Sequence, residues 1–511
     1  MPEPSTADSS AAPASASASL TARTVRGAAW TLSTSVSTRV IGLVGSLLMA
    51  RYLDKGEYGE VTAAMILTLT AFTVTSLGVG NYLLSNPGLG RAEVFHATCW
   101  FLSTGVAVLA VAWAISGPIG PWFDAPHLSR YMPIYVAAAL CDRIEFLPER
   151  MLIRKLRFRW LSIARAAGEL TYTGLSLGLL WAGVGAIALA WAYLARSALK
   201  LVAIAFAVDW REWAEPHRLR MATLRAIIRY GSGVSLASIA AALIRRWDNL
   251  LVSRYFGAPA MGAYNYAYNL ADTPATAIGE PLTDVVTAAF PHAEGDKRQA
   301  ALTRACTMIS LIMFPLAFGL GAVADTVVEA FLPPEWANVG PMLMYLSILA
   351  APRPLASIVQ AYLFAGHHVR VIIWLEWGSF LTLMAAMAAF GSLAAGSPMF
   401  GSSAILWTCG VVGTVFVLRT LASFATVTWL DGVPVRRFLA PLVRPLIACA
   451  LMVAAILAVR PALDGHRPVV RLGIEIALGA AVYLAGAVGI FRGAAAEFVD
   501  LLRSSFLRRR R

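Results

Sequence analysis

Runs of 20 or more mostly apolar residues recur about fourteen times along this chain, starting near residues 26, 60, 94, 130, 160, 184, 229, 262, 298, 338, 370, 401, 440 and 471. A helix of about 20 such residues crosses the hydrocarbon of a bilayer with every backbone polar group satisfied internally, so the spacing dictates an all-α integral membrane protein with about 14 transmembrane helices. Charged residues make up only 14% of the sequence, against about 25% in soluble domains. Once the helices and two tails are subtracted from 511 residues, only short connections remain. No soluble catalytic domain fits between them, which excludes ordinary soluble enzymes and disfavours membrane polymerases and ligases that work through a large external loop. The Ser/Ala/Pro-rich start, Met1 to about Ser19, lacks an apolar core and a basic flank and reads as a disordered tail rather than a signal peptide.

Charge placement supplies orientation. With a cytoplasmic N-terminus, the inner connections hold 26 of the 42 Lys and Arg and the outer ones seven, a strong positive-inside bias with both termini inside. The connection from Arg460 to Arg471 is more basic than an outer segment should be, so the last two helices fit this map least well. The net charge of +13 follows from basic inner loops beside anionic lipid, without nucleic acid.

Familiar catalytic and metal patterns are missing from the sequence. The five cysteines fall in or beside apolar runs with no CxxC spacing and read as packing residues, and His367 with His368, the only adjacent histidine pair, falls short of a metal site. Gly174-Leu-Ser-Leu-Gly178 matches a hydrolase elbow in letters but lies inside an apolar helical run, and there is no Walker A sequence. The expectation is a protein without cofactor or catalysis.

An internal repeat organises the rest. Residues 47–64, LLMARYLDKGEYGEVTAA, align with 250–267, LLVSRYFGAPAMGAYNYA, with six identities at a constant offset of 203: Leu47/Leu250, Leu48/Leu251, Arg51/Arg254, Tyr52/Tyr255, Gly59/Gly262 and Ala64/Ala267. Arg26/Arg229 and Ser35/Ser238 share the offset. Six helices separate the copies, so both enter the membrane in the same direction: two six-helix lobes in parallel repeat around a central cavity, plus two C-terminal helices. The corresponding division is a tail at 1–20, an N-lobe at 21–208, an amphipathic linker at 209–228, a C-lobe at 229–430, appended helices at 431–495 and a basic tail at 496–511. The linker carries Trp210 and Trp213 followed by Arg218, Arg220 and Arg225, the pattern of a helix lying on the inner interface.

Ala50-Arg51-Tyr52-Leu53 then Glu57-Tyr58-Gly59, its echo Arg254-Tyr-Phe-Gly257 then Gly262-Ala-Tyr264, and Phe290-Pro291 at the end of the eighth helix resemble the polysaccharide-transporter branch of the MOP flippase superfamily, the Wzx type. The resemblance covers roughly residues 20 to 495; Asp54 departs from the glycine usual in the first turn, which bears on the shape of that turn. It implies a multi-pass protein of the bacterial cytoplasmic membrane that moves undecaprenyl-pyrophosphate-linked oligosaccharide repeat units between leaflets. Partners would be that lipid-linked oligosaccharide, membrane lipids, and the polymerase and export machinery of polysaccharide synthesis. A drug or small-solute exporter of the same superfamily and a membrane glycan polymerase or ligase are the competing readings.

Nine basic residues remain inside the apolar runs, at a cost of about 2.5 to 3.5 kcal/mol each if they met lipid. Arg165 and Lys200 lie near inner helix ends and can snorkel. For a pyrophosphate cargo, which arginine grips bidentately, the candidate cavity cations are Arg39, Arg143, Arg245, Arg246 and Arg353. The opposing reading is ion pairing with the nine intramembrane acids, Asp142, Glu145, Glu169, Asp248, Asp272, Glu280, Asp284, Glu376 and Glu475, with Arg245–Asp248 as an i,i+3 pair. The eighth helix carries a polar stripe, Asn265, Asn269, Asp272, Glu280 and Asp284, with Pro274 and Pro281 able to kink it. That stripe is a sugar-binding wall, a protonatable coupling site, or a set of partners for facing arginines. Pro352 and Pro354 around Arg353 predict a bend in the tenth helix.

Overall fold

A computed structural model of the protein describes residues 38–490 apart from 40, 77, 87, 156, 396–399 and the stretch 280–294, of which only 283, 287 and 290 are included. The expected tails and the sites at Glu280 and Asp284 lie outside the described residues. Those residues contain no strand. Their helices are α1 (41–49), α2 (Lys55–Val74), α3 (Val79–Ser85), α4 (Arg91–Ile119), α5 (Leu128–Arg154), α6 (Phe158–Trp181), α7 (Ile187–Ala207), α8 (Met221–Ile244), α9 (Trp247–Phe256) and α10 (Ala258–Pro274). There follow α11 (Gly295–Ala322), α12 (Ala324–Phe331), α13 (Val339–Ala350), α14 (Arg353–Ala365), α15 (Val369–Ala395), α16 (Ala404–Asp431), α17 (Val435–Val459) and α18 (Pro468–Ile490). Eight of the described helical segments are long and apolar enough to cross a membrane, the first being Arg91–Ile119 and the last Pro468–Ala487. Large apolar side chains such as Trp181, Phe206, Trp374 and Trp429 stand exposed on the outside, as lipid-facing helices require.

Helices α2 and α4 to α7 pack on one another, as do α8 to α10 with α13 to α16, and α2 lies along α10 between the two groups. This seam is the point where the sequence repeat meets itself. A Cβ on Gly59 would stand 2.1 Å from the carbonyl oxygen of Ala258, and one on Gly262 would stand 2.2 Å from that of Lys55. Ala258 is Lys55 displaced by the repeat offset, so each copy's glycine admits the first turn of the other copy's helix, backbone against backbone. Beside it, Lys55 Nζ donates to Asn338 Oδ1 at 2.9 Å, and the rings of Tyr58 and Tyr266 meet buried Trp336 at 6.2 and 5.0 Å. This end of the seam is sealed.

The Asp54 departure does change the turn. Asp54 is extended, at φ −71° and ψ 141°, and its Oδ1 accepts from the N–H groups of Gly56 and Glu57 at 2.8 and 3.2 Å, an ordinary N-cap. Its repeat equivalent Gly257 takes φ +88°, where a side chain is strained. The N–H of Ala258 there donates to Asp124 Oδ2, at 3.3 Å, from the connection between α4 and α5. Ser253 Oγ donates to the Phe123 carbonyl at 2.5 Å. The first turn caps itself; the second is capped by the other half of the chain.

The linker is a correction. Only Trp210–Glu212 forms a 3-10 turn, and residues 215–220, interrupted by Pro216, are non-helical until α8 begins at Met221. Contacts to the first half take the place of helical hydrogen bonds: Lys155 Nζ to Glu212 Oε2 at 2.5 Å, Arg91 Nη1 to Glu215 Oε2 at 3.0 Å, and the Arg220 N–H to His96 Nε2 at 2.6 Å. The basic Arg460–Arg471 connection is explained as well. Arg460 Nε binds Glu475 Oε1 at 3.1 Å, and Arg471 binds Glu329 Oε2 at 2.6 Å, so these charges fasten α17 and α18 to each other and to α12.

Candidate functional site

Three helices break at one level. Helix α8 ends at Ile244 and α9 starts at Trp247, with Arg245 and Arg246 in the break; α10 passes after Pro274 into a π-helical turn, Ala275–Gly279; and α13 and α14 part at Ala351–Pro352. The prolines account for the second and third breaks, because each lacks an N–H and crowds the carbonyl one turn back. The first has no proline or glycine. Discontinuous helices at membrane depth are tolerated where they line a cavity, and these do. A cavity of ≈ 330 Å³ is lined by Arg245, Asp272, Thr276, Thr283, Arg353 and Ser357 among others, and it adjoins a more open one of ≈ 610 Å³ that shares Arg245, Gln360 and Phe364 and adds Arg246. Both lie toward the opposite end of the seam from its glycine seal.

Arg353 is the best-fixed cation. Its Nη1 is 2.8 Å from Asp272 Oδ1, its guanidinium stacks on Phe416 and Tyr268 at 4.8 and 5.2 Å, and its side chain is 11% exposed. Arg245 is exposed and Arg246 half-buried. Asp248 does not pair with Arg245, because the break removes the i,i+3 geometry; its carboxylate instead accepts from Tyr264 Oη at 2.7 Å and from Asn249. Along the polar stripe, Asn269 donates to Asn265 at 2.8 Å, Asn265 donates to Asn249 at 3.0 Å, and Tyr58 donates to Asn265 at 3.1 Å. Asn265 and Asn269 therefore tie α10 to α9 and α2 near the seal, and among the described residues of the stripe Asp272 reaches the cavity.

Two expected cations sit elsewhere. Arg39, in helical conformation just ahead of α1, is half-buried and is not among the residues lining these cavities. Arg143 is fully buried, with its guanidinium 4.4 Å from the Phe101 ring and 5.0 Å from that of Phe72, and it donates to the Phe101 carbonyl at 2.6 Å. A Cβ on Gly105 would overlap it at 2.0 Å. Arg143→Ala should accordingly lower stability by about 3 kcal/mol, the scale of a desolvated cation–π contact plus a charged hydrogen bond. The check is the melting temperature of purified protein, with cargo affinity unchanged in the fraction that remains folded.

Sequence reasoning passes over a third cavity, ≈ 190 Å³, between α2, α5 and α7. Asp142, Glu145 and Glu149 face it with Tyr193 and Lys200. The signal available is their i, i+3, i+7 spacing, one stripe of a helix. Lys200 does not snorkel; it is 15% exposed and bonds to Glu145.

Residues 48–341, more than half of the chain, match the family described as polysaccharide biosynthesis protein. The chain is 23% identical over 372 residues to the lipopolysaccharide biosynthesis protein WzxC of Escherichia coli, covering 72% of this chain and 74% of that one. It is 24% identical over 481 residues to the succinoglycan biosynthesis transport protein ExoT of Rhizobium meliloti, covering 90% and 92%. Among solved structures it shares the fold of the lipid II flippase MurJ in an inward closed conformation, with a TM-score of 0.72, 15% identity and coverage of 90% and 98%. The chain belongs to the polysaccharide biosynthesis protein family.

Proposed function

We propose that the protein is a flippase that carries undecaprenyl-pyrophosphate-linked oligosaccharide repeat units across the bacterial cytoplasmic membrane by alternating access, for cell-surface or exopolysaccharide synthesis. The observation that carries this reading is the convergence of three broken helices on a cavity holding Arg245, Arg246 and Arg353 while the far end of the seam is sealed by Gly59 and Gly262. In this reading fourteen spans form two lobes with both termini cytoplasmic, the cavity opens inward, and the seal faces outward. The arginines grip the pyrophosphate, whose charge is too costly to leave bare in a site walled by hydrocarbon. Asp272 holds Arg353 in place, and the glycan occupies the wider space bounded by Ser238, Gln360 and Phe364 while the isoprenoid tail stays in lipid. WzxC and ExoT support this reading by their names, and MurJ by its fold.

Purified protein in proteoliposomes should make inner-leaflet lipid-linked oligosaccharide accessible to a membrane-impermeant glycan-modifying reagent, and no gain over protein-free vesicles would sink the proposal. Orientation has a separate test. Reporters fused after Arg157, Arg220 and Arg437 should read as cytoplasmic and those after Asp124 and Pro334 as external. An external signal after Arg220 would invert the map and place the cavity on the wrong side.

A further inference from the structure

Helix α17 carries an arginine on the face that a membrane helix turns to lipid. Its exposed residues Arg437, Ala440, Arg444, Ile447 and Leu451 follow at intervals of three and four, so they form one stripe along the outside. The other face, with Phe438, Leu442, Cys449 and Met452, is buried, and α17 packs on α11 and α18. Arg444 lies in the third turn, about 13 Å along the axis from Val435. Val443, Leu446 and Ile447 stand exposed around it. Helix α16 ends at Asp431, a short turn before α17 starts, and its exposed Trp429 marks the interface on that side, because tryptophan settles among headgroups. Arg444 is therefore rooted deeper than the headgroups, beside acyl chains.

A guanidinium in that position needs an anion. Among the described residues, neither the Arg437 nor the Arg444 side chain has an ion pair or hydrogen bond. The acids of the adjoining helices are placed elsewhere. Asp431 accepts from Tyr362 Oη at 2.6 Å, Glu475 of α18 binds Arg460 at the far end of α17, and Asp296, exposed in the first turn of α11, reaches neither arginine. Side chains on a helix lean toward its N-terminus, so Arg444 is directed over the small Ala440 toward Arg437 and the interface. Two like charges brought together above an apolar strip have the outline of a site for an amphiphile with an anionic head. We propose that this stripe binds an anionic phospholipid, with the phosphate between Arg437 and Arg444 and an acyl chain along Ile447 and Leu451. The arginine fork fits phosphate oxygens and keeps its charge at any physiological pH. A soluble protein partner fits less well, because its acidic group would have to enter the membrane to reach Arg444. The stripe shares no residue with the cargo cavity, so such a lipid site stands apart from the flippase reading.

Native mass spectrometry of the detergent-purified full chain provides the test, with phosphatidylglycerol and phosphatidylcholine of identical acyl chains as probes. Phosphatidylglycerol should stay bound at collision energies that strip phosphatidylcholine. Arg444→Leu should lower its affinity about tenfold, the loss of one charge-assisted hydrogen bond. Arg437→Ala should act in the same direction, and Arg444→Lys should keep part of the binding. Arg159→Ala, which removes an exposed arginine at the start of α6, should change nothing. Leucine at 444 faces lipid and leaves the packed face intact; were that variant still lost on purification, Arg437→Ala and Arg444→Lys decide. Equal retention of the two lipids overturns the proposal, as does an equal loss in Arg159→Ala, which would reduce the effect to overall charge. Displacement of phosphatidylglycerol by inorganic phosphate alone, or by undecaprenyl phosphate in an Arg444-dependent way, overturns it too, for the stripe would then read a free anion or the cargo.

Discussion

Placing valine at Gly59 or Gly262 should open the sealed end of the molecule and stop transport without removing the protein from the membrane. The first side-chain atom would fall 2.1 Å from the Ala258 carbonyl oxygen in one variant and 2.2 Å from the Lys55 carbonyl oxygen in the other. Neither obstacle is a side chain that can swing aside; both are backbone in the first turn of a helix. Relief requires α2 and α10 to part, and overpacking of this kind costs about 1–3 kcal/mol, which shifts a two-state equilibrium by roughly 5- to 150-fold. The reporter is Ala63→Cys, one turn below Gly59 and fully buried, in a chain whose five native cysteines have been replaced. A membrane-impermeant thiol reagent added from outside should label it slowly when both glycines are intact and at least severalfold faster with either valine. Unchanged labelling together with normal transport would show that the glycine contact is no gate.

The second large effect concerns Arg353. Arg353→Ala should reduce both the amount of protein in the membrane and transport, because it strands Asp272 inside the cavity wall; breaking a buried pair costs about 3–5 kcal/mol. Asp272→Asn combined with Arg353→Met should restore abundance, since neither charge is then left alone, yet transport should stay lost if the guanidinium grips the cargo. The double variant separates the two roles: recovery of abundance and transport together would reduce Arg353 to a partner of Asp272. Arg353→Lys keeps the charge but loses the fork, and should retain abundance with partial transport.

Much of this was readable from the residues, and the limits have physical causes. The offset of 203 was the most informative signal, for it links Gly59 to Gly262 and Lys55 to Ala258. Only the fold reveals that these four positions meet across the seam. The bend at Pro352 and Pro354 is legible because proline has a fixed backbone consequence. The break at Arg245 and Arg246 is not, because its sequence is compatible with a continuous helix and only tertiary packing decides. The cost of charge in hydrocarbon singles out five arginines, of which Arg245, Arg246 and Arg353 line a cavity. The same cost is met at Arg143 by aromatic faces and a helix carbonyl, an environment that one-dimensional spacing does not encode. The linker's amphipathic pattern misleads because Pro216 and contacts to α4 and α5 outweigh it.

Most of the seal at Gly59 and Gly262 is peptide backbone and aromatic ring, and its lysine, Lys55, bonds to the amide of Asn338 and lies 5.8 Å from the Trp336 ring. Attraction between ions fades within about 10 Å in 0.1 M salt, whereas steric fit between carbonyls and glycines is indifferent to dissolved electrolyte. The steric part of this seal therefore works as a gasket whose tightness is independent of the ionic strength of the fluid bathing it. A dilute and a briny surrounding find the same steric barrier.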